Sequence, residues 1–428
     1  MKQHRKGMRA FVGLAVIALV LTACRGGGES DASGTPGVTS DPCPNAVNPD
    51  NGCIYLGVIS DLTKGPFAPL ALPVTDAQKA FWKRVNEEGG VGGYDIDISK
   101  YVADAEYNPE IHNRKYQEMR NDILAMAQTL GSTQTITVIE DMRADKMLGV
   151  PASWNSAWQF DENILPVGSN YCFEGMNSID WAVANKGIKA GDKVVHVGFP
   201  NDYGGDAAVG VEVAAKANGL DFVKVETPGG QDNQAGAIAA IKRENPALLF
   251  ISTGPAEMAT IVGQLAAGGW TGVAMGNGPT WNGALLQSAA APALKAQFVL
   301  AGPWAHFAAD TPGHQAMRDA IGADITPNIG YIAGWALSYP MLAALEAAAE
   351  MDGGINRENV MMAANSLTEV DFEGILPPEA GNRNEPYRAT YFAGITDAEP
   401  GGNTSLEDAY VGPTAKAYDF TKPCFSLY

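Results

Sequence analysis

Short apolar runs with strand character alternate with longer Ala-, Glu- and Lys-rich segments along most of this chain, which restricts it to parallel β-sheets covered by helices. Residues 54–59, Ile54-Tyr55-Leu56-Gly57-Val58-Ile59, read as a buried strand. Residues 75–88 read as a helix, with Ala77, Ala80, Phe81 and Val85 on one face and Gly89-Gly90 as its stop. Further strand-like runs fall at 95–99, 123–127, 193–199, 221–225, 247–252, 272–275 and 297–300. Two stretches break the rhythm. Residues 311–367 are mostly helical, with a long apolar-faced helix over about 329–350, and 377–413 form a polar, Gly/Pro-rich tail in which 389–395 still reads as a strand. The expected fold class is α/β, and residues 53–428 are too many for one ordinary core, so two domains are expected.

The net charge of −19, from 29 Lys plus Arg against 48 Asp plus Glu, argues against a nucleic-acid partner. Lys2, Arg5, Lys6 and Arg9 precede an apolar run at 10–21 and then Leu21-Thr22-Ala23-Cys24, the layout of a secretory signal over residues 1–23 whose apolar part is too short to span a bilayer. Residues 24–52, rich in Gly, Ser, Asp and Pro, read as a flexible tether. Beyond Cys24 four cysteines remain, Cys43, Cys53, Cys172 and Cys424, an even number that fits two disulfides in an oxidising compartment. Three connectivities are open; the short spacing favours Cys43 with Cys53, which leaves Cys172 for Cys424. The five histidines are scattered and no C-x-x-C occurs, so neither a metal nor another cofactor is expected.

The box ending at Cys24 resembles the bacterial lipoprotein signal, which implies acylation of that cysteine and a lipid anchor on the outer face of the cell membrane. The run 54–63, then Gly65-Pro66-Phe67, Asn86-Glu87-Glu88-Gly89-Gly90, Gly149-Val150-Pro151, Asn201-Asp202-Tyr203-Gly204-Gly205 and Gln264 to Trp270, resembles the type I periplasmic binding proteins of the branched-chain amino acid and amide group. The resemblance rests on order and spacing over nearly all of 53–428. It implies two Rossmann-like lobes joined by three crossovers, 53–175 with 304–387 and 176–303 with 388–428. A small solute is then held in the cleft between them. It also implies a monomer that serves the permease and ATPase of an ABC importer.

Residue by residue, the resemblance points to Gly131, Ser132 and Thr133 as holders of a ligand carboxylate and to Tyr203 as the second-lobe tyrosine closing over it. Counting on from Pro151 reaches Ser156 and Trp158, the latter standing where the family usually has threonine, with Trp154 nearby. An amino-acid ligand needs a carboxylate to meet its ammonium, because an unpaired buried cation is costly. The loop where the family commonly supplies one runs from Asn277 to Trp281 and has no acid. Glu174 is the candidate substitute, ahead of Glu257, which reads as a solvated residue in the first turn of its helix. Without such an acid, an amide, a urea-like molecule or an aromatic or aliphatic carboxylate fits as well, with Phe67, Trp281 and Tyr331 as apolar walls.

An enzyme is the competing class. H-E-x-x-H, G-x-S-x-G and the P-loop pattern are missing, and no nucleophile, base and orienting group stand at recognisable spacing, so no catalytic residue is nominated. A ligand sensor feeding a signalling partner would use the same lobe closure as an importer receptor, and a structural adhesin would leave the cleft residues idle.

Overall fold

The structure, a computed structural model, describes residues 34–200 and 202–427; the signal segment, the acylation candidate Cys24 and Asn201 lie outside them. The first half runs β1 (Val38–Thr39), β2 (Gly52–Ser60), α1 (Ala68–Glu87), β3 (Tyr94–Asp104), α2 (Pro109–Met119), β4 (Ala125–Leu130), α3 (Ser132–Ile136), α4 (Ile139–Ala144) and β5 (Gly149–Ala152). It continues with α5 (Tyr171–Asn185), β6 (Lys193–Gly198), α6 (Asp202–Ala217), β7 (Asp221–Glu226), α7 (Ala235–Glu244), β8 (Leu248–Ser252), α8 (Pro255–Ala267), β9 (Val273–Asn277), α9 (Ala291–Gln297) and β10 (Phe298–Gly302). Then come α10 (Pro312–Ile321), α11 (Ile329–Ala349), α12 (Arg357–Ser366), the hairpin strands β11 (Thr390–Ile395) and β12 (Asn403–Tyr410), and α13 (Pro413–Ala417).

Two sheets organise the molecule. In the first, β3, β2, β4 and β5 lie parallel and β1 pairs antiparallel with the start of β2. The second has the order β12-β11-β10-β9-β8-β6-β7, in which β11 alone runs antiparallel to the rest. Because α10, α11 and α12 follow β10 yet α11 packs on α1 beside the first sheet, the chain passes between the two lobes three times. The boundary expected at 175 falls inside α5, which starts at Tyr171 and packs on α6 of the second lobe.

The tether expected over 24–52 is docked from residue 35 onward. Val38 pairs with Ile54 across β1 and β2. Cys43 is disulfide-bonded to Cys53, and the Asp95 carboxylate accepts from the backbone N–H groups of Val47 and Asn48 and from the Asn48 and Asn51 amides. These donors hold the Asp95 pKa below the usual aspartate range although burial pushes the other way. The second expected disulfide, Cys172–Cys424, is also formed.

The first helix starts seven residues earlier than its apolar period indicates. Pro69 sits in its first turn, where a missing N–H costs nothing, and the Asp61 carboxylate accepts from Gly65 and Phe67 N–H just ahead of it. Helix α11 is apolar on nearly every side because it is buried on nearly every side. Its Gly330 and Gly334 form one stripe against the backbone of α1. A Cβ on Gly334 would stand 2.1 Å from the Val74 carbonyl oxygen, and one on Gly330 would stand 2.5 Å from that of Leu70. Gly334→Ala is therefore expected to cost about 2–3 kcal/mol in urea unfolding, since backbone cannot rotate aside as a side chain can. A loss under about 0.5 kcal/mol would show that the two helices are not seated this tightly.

Candidate ligand-binding site

The carboxyl ends of the two sheets face each other, the place where open parallel sheets bind ligands. Between them lies a cleft, part of it open to solvent. Its walls are mostly apolar. Helix α1 contributes Leu70, Ala71 and Val74, and α11 contributes Ile329, Ala333 and Leu337. Leu70, Ala71 and Val74 cover about one turn of α1, roughly 6 Å, and Ile329, Ala333 and Leu337 about two turns of α11, roughly 12 Å. Tyr107, Tyr171 and Trp304 add aromatic surface.

Five of the twelve ligand-contact candidates line the cleft: Phe67, Gly131, Ser132, Trp154 and Tyr203. Phe67 follows the Asp61 turn, and its ring meets Tyr107 in its own lobe and Phe199 and Tyr203 in the other, with centroids 5.1, 6.2 and 6.1 Å away. Gly131 has φ of +87°, so the chain leaves β4 in a conformation that favours glycine and sets Ser132 at once at the cleft. Trp154 packs edge-on to Tyr171 and Trp304. Tyr203 lies in the first turn of α6, its ring 4.6 Å from that of Tyr171.

The other seven have different surroundings. Thr133 donates its hydroxyl to Asp202 of the second lobe, so a carboxylate of this chain stands where a ligand carboxylate was expected. Burial raises the Asp202 pKa despite that bond. Ser156 is fully buried; its N–H and O–H both go to Asp206, and its oxygen accepts from Cys424 N–H. Trp158 is in the first-lobe core with its N–H on Ser153. Trp281 is in the second-lobe core, donating to the Gly401 carbonyl at 3.0 Å. Tyr331 packs in the first-lobe core against Phe307. The apolar walls assigned to Trp281 and Tyr331 come instead from α1 and α11, whose apolar stripes a sequence presents only as core.

Glu174 and Asn277 pair with each other. The Asn277 amide donates to Glu174 Oε2 at 2.6 Å and its oxygen accepts from Ser252. Neither is on the cleft wall, and burial drives the Glu174 pKa well above the carboxylate range. Its carboxyl faces Asn277 of this chain and is not on the cleft wall. Glu257 is not solvated either: it is buried in the first turn of α8 and accepts from Gly230 N–H. Among the described residues the cleft wall carries no Lys or Arg. His306, on the same wall, has its pKa lowered by burial although Asp408 and Glu399 pull it up.

A family model for periplasmic binding proteins matches residues 54–400. The chain belongs to the periplasmic binding protein family. Its fold is the type I periplasmic binding fold, and the family consists of extracytoplasmic substrate-binding proteins rather than enzymes. Among solved structures, this binding protein is similar to the fatty acid ABC transporter substrate-binding protein from Thermomonospora curvata. The identity is 29% over 90% of this chain and 96% of that one, with a TM-score of 0.82. It shares its fold with a branched-chain amino acid ABC transporter protein from Thermus thermophilus with bound valine, at 17% identity over 86% of this chain and 98% of that one, TM-score 0.71. It does so too with a solute-binding protein from R. palustris in complex with 4-hydroxybenzoate, at 17% identity over 84% and 97%, TM-score 0.69. A search of curated proteins finds no significant match.

Proposed function

We propose that this binding protein captures an elongated aliphatic carboxylate of the fatty-acid type and delivers it to the permease and ATPase of an ABC importer. The observation that carries the reading is the apolar wall that α1 and α11 give the cleft, about two helical turns long on α11. A small polar solute would leave that wall wet. The similarity to the fatty acid substrate-binding protein of Thermomonospora curvata agrees with it.

The head group is placed at Ser132 and Trp154. The Ser132 hydroxyl is buried beside Asp202, whose carboxylate it helps to stabilise, and the Trp154 indole N–H is buried and unpartnered. Both can donate to a carboxylate. Asp202, whose raised pKa lets it keep a proton to higher pH than an ordinary aspartate, adds a third donor when protonated. Phe67, Tyr171 and Tyr203 then enclose the head from both lobes. Only the closed form lets both lobes touch the ligand, so differential affinity drives closure. Acylation of Cys24 after removal of residues 1–23 would hold the receptor at the outer face of the membrane as a monomer.

Titration of the intrinsic tryptophan fluorescence tests the reading: laurate and palmitate are expected to change the emission of Trp154 and Trp304, and valine to leave it unchanged. Ala333→Phe excludes about three methylene groups at ~0.8 kcal/mol each and is expected to weaken palmitate binding roughly 50-fold. Saturable valine binding with no response to either fatty acid would overturn it.

A further inference from the structure

The cleft has a second polar station that the head group does not use. Asn403, the first residue of β12, lines the cleft and is 1% exposed, yet neither its amide nitrogen nor its amide oxygen has a hydrogen-bond partner. A buried amide with both functions unpaired costs more than its fold gains, so such groups in native proteins call for a partner. The nearby His306 ring also lines the cleft with its Nδ1 buried and unpartnered.

The turn that presents Asn403 is pinned. Gly401 and Gly402 have φ of +85° and +78°, and a Cβ on Gly402 would stand 2.7 Å from Leu286. The Trp281 indole N–H holds the Gly401 carbonyl, and Thr396 N–H holds that of Gly402. Trp281 thus acts on the cleft through this turn and not as a wall. The station is also far from the head. Ser132 and its neighbour Thr133 meet Asp202 just after β6, whereas Asn403 opens β12, five strand positions away in the same sheet. At ~4.8 Å per strand the five positions alone set the two stations on the order of 20 Å apart.

We infer that the ligand is bipolar: an aliphatic chain with a carboxylate at Ser132 and Trp154 and, at its far end, a hydroxyl or carboxamide that pairs with Asn403. The inference rests on the elongated-ligand reading above and specifies its substrate class. A methyl end would leave both Asn403 functions bare. A second carboxylate would satisfy only the amide N–H, and would approach Asp408, which lines the same end. A hydroxyl or carboxamide both donates and accepts, so it matches the amide on both counts.

The test compares laurate and palmitate with the ω-hydroxy derivative of each, by tryptophan fluorescence on the parent protein and on Asn403→Leu, which keeps the side chain's shape and removes its polarity. For at least one chain length the parent is expected to bind the ω-hydroxy acid about tenfold more tightly than the plain acid, the cost of leaving a buried polar pair unmade. In Asn403→Leu that ratio is expected to fall to about one. Equal affinities in the parent at both lengths, or a ratio that survives in the variant, would overturn the inference and leave the fatty-acid reading standing. Valine binding without any response to the four aliphatic acids would overturn both. If Asn403→Leu does not fold, the ratio measured on the parent decides.

Discussion

Replacing Cys172 and Cys424 with serine is expected to cost about 5 kcal/mol of stability. The bridge spans a sequence separation of 252 residues, and a cross-link removes more freedom from the unfolded chain as the loop lengthens. It joins the first turn of α5, next to the cleft residue Tyr171, to the end of the chain. The tail is also held by Cys424 N–H on Ser156, Gly412 N–H on Asn177, Thr414 on Asp180, the Phe420 ring against Phe160 and Phe173, and Arg388 on the carbonyls of Ala415 and Tyr418. Urea unfolding of the double variant against the oxidised parent measures the loss. Limited proteolysis should cut the variant's tail after residue 410 first. Identical midpoints and an intact tail would show that packing alone holds the terminus.

Exchanging Asp206 for asparagine should make stability differ from the parent by an amount that depends on pH. The Asp206 carboxyl is fully buried on α6, where it accepts from Ser156 O–H and from the N–H groups of Ser156 and Cys172. Burial outweighs these donors, with help from the Asp202 charge, and raises its pKa from 3.8 to about 7. The folded protein therefore holds this proton more tightly than the unfolded chain does. The resulting stabilisation is complete below pH ~4 and is lost as pH rises through about 7, whereas asparagine does not titrate. Between pH 4 and pH 8 the difference is expected to move in the variant's favour by about 4 kcal/mol, on top of a constant cost for the lost acceptor. Unfolding curves at pH 4, 6 and 8 read it directly. A difference that stays flat would mean that Asp206 ionises as an ordinary aspartate.

Much of the fold was legible because strand and helix periods are local. The runs at 54–59, 193–199 and 247–252 became β2, β6 and β8, and the apolar stretch beginning near 329 became α11. The two-lobed binding fold followed from motif order, and the family match over 54–400 agrees with it. Where local signals were weak, boundaries moved. Pro69 and Pro73 disguised the start of α1, and a segment rich in Gly, Ser and Asp read as tether although its side chains dock on Asp95.

The candidate site was legible only in part. Tyr203 and Ser132, which the sequence offers because each falls shortly after a strand, both stand on the cleft wall. Ser156 was misassigned because its partner Asp206 is 50 residues away, so nothing local marks the hydroxyl as taken. Trp281 and Tyr331 carry the same apolar character whether they face a ligand or a core. Asn403 gave no signal at all, being one asparagine in a polar tail.

By itself, the sequence determined the alternation of strands and helices, the pairing capacity of its cysteines and the lack of an acid in the Asn277 to Trp281 loop, since each is a property of residue type and near spacing. Only the tertiary structure decided which polar groups are already satisfied and which are not. Hydrogen-bond satisfaction depends on atoms brought together from distant parts of the chain: Thr133 onto Asp202, Ser156 onto Asp206, Asn277 onto Glu174. What that pairing leaves over on the cleft wall, at Trp154, His306 and Asn403, lies among apolar residues that α1 and α11 supply from distant parts of the sequence, and it is on these groups that the proposed ligand rests.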